Sequence, residues 1–218
     1  MRRARLIWMP SAPTILAVSL ICATAAADPA IDWATGIVTA DGVGIADRHA
    51  PNPSVARGTS RRGAEEAAKK ELAASVAQLG LADGGTVRKL VAPAIKARLD
   101  RAVAQAIAVA AQPETDGAWR VTMGVPIEAV RQAIEGGPRV SDGDGDRGPA
   151  VVVVEGVTAK PAVGWTVGGQ HAATIWVTAV PAWAKDAPHV TATSAKAGAI
   201  EVSGTSGTRA TLYVLLRP

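Results

Sequence analysis

Asp142, Asp144 and Asp146 stand at every second position of the run Gly136 to Pro149, a spacing that lets the first half of a calcium loop turn its carboxylates onto one hard cation. Such a loop needs Gly at its sixth position and Glu at its twelfth. Here those positions hold Arg147 and Val153, so the run reads as a solvated acidic linker. The stretch Ile37 to His49, IVTADGVGIADRH, offers a second chemistry, a glycine loop cradling a phosphate. A dinucleotide loop needs a third Gly and a helix that begins at once. Asp47 occupies the third position, and Pro51 and Pro53 delay the helix, so Gly42-Val43-Gly44 is expected to be a plain turn.

His49, His171 and His189 are scattered and share no ligand spacing, and Gly204-Thr-Ser-Gly207 is not a nucleophile elbow. An enzyme would require His171 or His189 to meet a carboxylate such as Glu155 or Glu201. A ligand-binding module for sugar or lipid would require Trp165, Trp176 and Trp183 to share an exposed face. Neither is the expectation: no catalytic, cofactor-binding or metal-binding residue is assigned.

The 218 residues are 48% apolar, enough to bury one or two small cores, yet there is no Phe and aromatics make up 3%. Small side chains must therefore pack closely, with Trp33 and Trp119 expected as buried anchors. Arg2, Arg3 and Arg5 precede the apolar run Thr14 to Ala23 and the small residues Ala25 and Ala27. That order is a secretory signal, residues 1–27, with cleavage expected after Ala27. Its apolar core of about ten residues falls short of the roughly 20 that span a bilayer. Removing it leaves 20 of the 23 basic residues against 19 acidic ones, a net charge of +1, so no basic patch for nucleic acid is expected. The single cysteine, Cys22, lies in that segment behind Ile21, where a lipid-attachment motif wants a small residue. The mature chain then has no thiol chemistry.

The elements that would position any site follow from periodicity. Trp33 to Ala40 alternates as a strand, with Asp41-Gly42 expected to end it. Asn52 or Ser54 caps a helix to about Leu79, with Ala64, Ala68, Leu72, Val76 and Leu79 on one face. A second helical pattern runs from Pro93 through Ile95, Leu99, Ala102, Val103, Ala106 and Ala110. Trp119 to Val125 alternates as a strand, and Ile127, Val130 and Ile134 mark a short helix. After the linker, Val151–Val154, Trp165–Val167, Thr174–Val180, Val190–Thr193, Ile200–Val202 and Thr211–Leu216 are short β-branched runs. The class is α+β: a strand-helix-helix-strand-helix layer over residues 28–136, a flexible linker at 137–149 and a β-rich region at 150–218.

Trp33-Ala-Thr-Gly36, Gly42-x-Gly44, Ala56-Arg57-x4-Arg62-x-Ala64, Lys70-Glu-Leu72, Leu99-Asp-Arg-Ala-Val-Ala104 and Asp116-Gly-Ala-Trp-Arg-Val-Thr-Met-Gly-Val-Pro126 together resemble the LPP-twenty type family of small bacterial envelope lipoproteins, over about residues 32–135. That family includes flagellar outer-membrane assembly proteins. The resemblance implies an envelope-associated, non-enzymatic role in assembly or surface structure, no cofactor, and partners among envelope or outer-membrane proteins. Self-association is an open alternative, and so is attachment to a membrane.

Overall fold

The computed structural model describes residues 30–136, 149–204 and 211–217. Among the described residues the chain is α+β, with three helices and two sheets. Residues 30–136 form four strands, β1 (Ala30–Asp32), β2 (Ile37–Gly44), β3 (Ile107–Pro113) and β4 (Trp119–Pro126), with α1 (Pro53–Gln78), α2 (Pro93–Ala104) and α3 (Ile127–Glu135). The sheet is antiparallel throughout, in the order β1-β2-β4-β3.

α1 starts where the sequence places it. Asn52 is the cap, its Oδ1 accepting from the Val55 N–H at 3.0 Å, and Pro53 fills the first turn, where its missing N–H costs nothing. Replacing Asn52 by Ala should cost about 1 kcal/mol of stability. Asn52→Ser should recover most of it. Thermal or denaturant unfolding of the two variants reads this directly, and equal stability of wild type and Asn52→Ala would mean that the cap is energetically idle.

Ala64, Ala68, Leu72, Val76 and Leu79 are all buried, as their spacing demands, and they join Val38, Ala40, Val121, Met123 and Val125 in one core. Val103, Ile127 and Val130 enter the same core from α2 and α3, so the three helices cover one face of the sheet. α3 is fixed by charge as well. Burial of the Arg131 guanidinium works against its charge, but ion pairs with Glu128 and Glu135 outweigh it and raise its pKa above the usual arginine value. Arg98 reaches across from α2 to the carbonyls of Ala133 and Ile134 at the end of α3.

Three expectations for this half are corrected. Trp33–Gly36 is a turn, with Asp32 Oδ1 accepting from the Ala34 and Thr35 amides at 2.9 and 3.1 Å; bonds from Thr35 hold the Asp32 carboxyl below its usual pKa. The strand therefore begins at Ile37 and runs on through Asp41-Gly42, which does not end it. The second helical pattern stops at Ala104, and Ala110 belongs to the strand β3. Counting β1 and β3, the order becomes strand, strand, helix, helix, strand, strand, helix.

The C-terminal half is a seven-stranded mixed sheet in the order β7-β6-β10-β9-β5-β11-β8. Its strands are β5 (Val151–Glu155), β6 (Thr166–Val167), β7 (Gln170–His171), β8 (Ala173–Val177), β9 (His189–Lys196), β10 (Ala199–Ser203) and β11 (Leu212–Leu216). Six of the seven coincide with the β-branched runs of the sequence; the two-residue β7 lies outside them. β5, β11 and β8 pair in parallel, and β5 and β11 are buried on both faces, which is why Val151–Val154 reads as a continuous apolar run.

The two halves touch directly. Val163 accepts from the Ala82 amide and donates to the Gly80 carbonyl, both at 2.9 Å, and its side chain lies in the first core. Trp33 packs against both cores while its carbonyl accepts from the Trp176 amide at 2.9 Å. The linker positions 137–148, with Asp142, Asp144 and Asp146, lie outside the described residues. So does the 1–27 segment.

Candidate functional site

The glycine pair that invites a phosphate reading is neither a phosphate loop nor a turn. Gly42 and Gly44 are strand residues of β2, buried beneath α1. A Cβ built on Gly42 would overlap the Ala64 carbonyl oxygen and the Ala68 amide, and would lie 2.9 Å from Ala68 Cα. One built on Gly44 would overlap the Ser60 carbonyl. The glycines are therefore the seats on which α1 rests. Ser60, itself buried, donates its hydroxyl to the Gly44 carbonyl at 2.6 Å and fixes the helix along the strand. No ligand can reach atoms so covered.

The histidines divide. His189, at the start of β9, meets Glu155, at the end of β5, with Nδ1 2.7 Å from Oε1. An enzyme would need such a pair inside a pocket. Both side chains are exposed and solvated, so the contact is worth under about 1 kcal/mol. His171 meets Glu135 of α3 at 3.3 Å, not Glu155 or Glu201, and so adds a polar bridge between the halves. His49 is exposed, its amide donating to Asp47 Oδ1. Among the described residues no group of three or more His, Cys, Asp or Glu is placed to hold a metal ion, and no helix is long and apolar enough to cross a membrane.

The tryptophans reverse the expectation. Trp165 and Trp176 are 7% and 2% exposed and meet edge to face, ring centroids 6.2 Å apart, in the core of the β-rich half. Trp33 and Trp119, expected as the buried anchors, are only half-buried; Arg61 lies 5.4 Å over the Trp119 ring. Trp183 is 60% exposed on a one-turn helix at Ala182–Ala184. Hence Trp165, Trp176 and Trp183 share no exposed face.

Compared with the models of known protein families, the chain matches none, and no curated protein matches it.

What the fold does leave open is the free side of the first sheet. All seven residues of β3 are exposed, with Ile107 57% and Val109 52% accessible, and Val43 of β2 lies exposed on the face away from the helices. Val109 sits over Gly124 of β4, so close that a Cβ there would come within 2.8 Å of it. Val43, Ile107 and Val109 share that side with the hydrogen-bonded pair Asp41 and Thr122, a mixed surface of the kind that suits protein-protein contact. Composition hid this strand. Ile107 to Ala111 continues the small apolar pattern of α2, and only the N–H and C=O pairing with β4 makes it a strand.

Proposed function

We propose that the protein is an exported, non-catalytic structural or assembly factor of the bacterial cell envelope, working through its surfaces. The observation that carries this reading is the exposure of Val43, Ile107 and Val109 on the side of the 30–136 sheet away from the helices, in the part of the chain whose motifs resemble the envelope lipoprotein family. The signal-like segment at 1–27 supports export, with Asp28 as the mature N-terminus. Partners are envelope or outer-membrane proteins, and the resemblance extends the proposal to flagellar outer-membrane assembly.

The test is complementation of a deletion strain. His49→Ala, His171→Ala and His189→Ala, made singly, should each leave the cellular role within about twofold of wild type, because exposed histidine pairs contribute little to stability. Fractionation should recover the protein with the envelope, and its intact mass should correspond to a chain starting at Asp28. One histidine variant that abolishes function at normal abundance would replace this reading with a catalytic or ligand-binding one. A diacylglyceryl group on Cys22 would replace the cleavage site.

A further inference from the structure

Arg61, Arg120 and Arg131 each sit against acids of the same 30–136 unit: Glu65, Glu114, and Glu128 with Glu135. The stretch 88–97, RKLVAPAIKA, is built differently. It carries Arg88, Lys89 and Lys96, contains no acid, and forms no ion pair among the described residues. Asp83 and Asp100, the nearest acids in the chain, lie outside it on either side. Between the cations the surface is apolar. Val91 is 88% exposed, more than any other large apolar residue described, and Ala92 to Ala94 are exposed beside it. The stretch is also held firmly at both ends. Val87 is buried in the first core and donates its amide to the Leu79 carbonyl at 3.0 Å, while Arg98 ties α2 to the end of α3. A one-turn helix at Val87–Lys89 and the first turn of α2 thus present the three cations and Val91 from fixed backbone.

We propose that residues 88–97 are a docking surface for a bilayer bearing anionic phospholipid, with Arg88, Lys89 and Lys96 on the headgroup phosphates and Val91 entering the acyl layer just below them. A bilayer interface rewards both halves of this pattern, because it is negative at the phosphates and apolar a few ångströms deeper. The long stems of Arg and Lys can lie along that apolar layer while their charges stay at the phosphates. A nucleic acid would reward the cations alone. It would leave Val91 in water, and the stretch offers no aromatic ring on which a base could stack. The inference does not rest on the envelope reading, since purified protein and defined vesicles test it whatever the cellular role, and a negative result leaves the complementation outcome above untouched.

The test is co-sedimentation of the full mature chain, residues 28–218, with vesicles of phosphatidylethanolamine and phosphatidylglycerol, and separately with vesicles of phosphatidylcholine. The anionic vesicles should carry the protein down, less so as salt is raised, and the neutral ones should not. One cation beside an anionic leaflet is worth about fivefold in partitioning, so the triple variant Arg88→Gln, Lys89→Gln, Lys96→Gln should bind roughly a hundredfold more weakly. Val91→Ser should weaken binding about threefold or more at every salt concentration. Circular dichroism and melting should be unchanged in both variants, because all four side chains are exposed. The control triple Arg62→Gln, Lys70→Gln, Lys196→Gln removes the same charge from exposed positions elsewhere and should bind within about twofold of wild type. The inference is overturned if the anionic vesicles leave the protein in solution, or if the two triple variants lose binding equally. It is overturned also if Val91→Ser binds like wild type while duplex DNA strips the protein from the vesicles, which would make the surface one for nucleic acid.

Discussion

Gly42→Ala is expected to destabilise the protein by about 3 kcal/mol, although it adds one methyl to a position whose backbone suits any residue. The methyl would be driven into the Ala64 carbonyl oxygen and the Ala68 amide, which are backbone atoms and cannot turn aside. α1 must lift from the sheet, which loosens Ala64, Ala68 and Leu72 from the core at once. Because the obstacle is backbone, trimming the facing side chain with Ala68→Gly should not rescue the variant. Gly58→Ala is the control: Gly58 lies in α1 with nothing within 4 Å of its added Cβ, and should gain about 0.5–1 kcal/mol from the lower entropy of the unfolded chain. Urea unfolding of the four proteins measures both signs. A Gly42→Ala protein within 0.5 kcal/mol or so of wild type would mean that the helix is free to shift, against the close-packed seat described above.

Ala68→Glu should be more severe. Ala68 is fully buried above Gly42, with no cation among the residues of its core to pair with a carboxylate. An unpaired buried charge costs several kcal/mol, a large share of the roughly 5–15 kcal/mol that hold a domain folded. The cooperative melt of the 30–136 unit should vanish, and the protein should be lost from cells. Glu66→Lys, on the exposed side of the same helix, should fold and melt like wild type and can then report on partner contacts alone. The comparison fails if Ala68→Glu accumulates normally with an unchanged melting temperature.

Both variants act on a feature that periodicity half reveals. Small residues at steps of four on α1 announce a buried helix face, and the burial of Ala64, Ala68 and Leu72 agrees. What no local rule shows is why the face is so small. Gly42 and Gly44 look like a turn because glycine is common in turns; they are in a strand because the facing helix leaves no room for a side chain. The reason lies 16 to 26 residues further along the chain, at Ser60, Ala64 and Ala68. Periodicity fails likewise at β3, whose Ala and Val residues fit a helix and a strand about equally well, and which is decided by pairing with β4.

By itself, the sequence determined the α+β class, the start and inner face of α1, β4, α3 and six of the seven strands of the second sheet. In each case the deciding signal is local: a side chain that can cap, a period of 3.6 or 2, a run of β-branched residues. Tertiary structure alone decided that Gly42 and Gly44 seat a helix and that Trp165 and Trp176, not Trp33 and Trp119, fill a core. It also decided that His189 meets Glu155 while His171 meets Glu135, and that β3 is left as an open edge. Each of these depends on which backbones lie side by side. That is set by long-range burial and strand pairing, for which residues far apart in the chain carry no shared local mark.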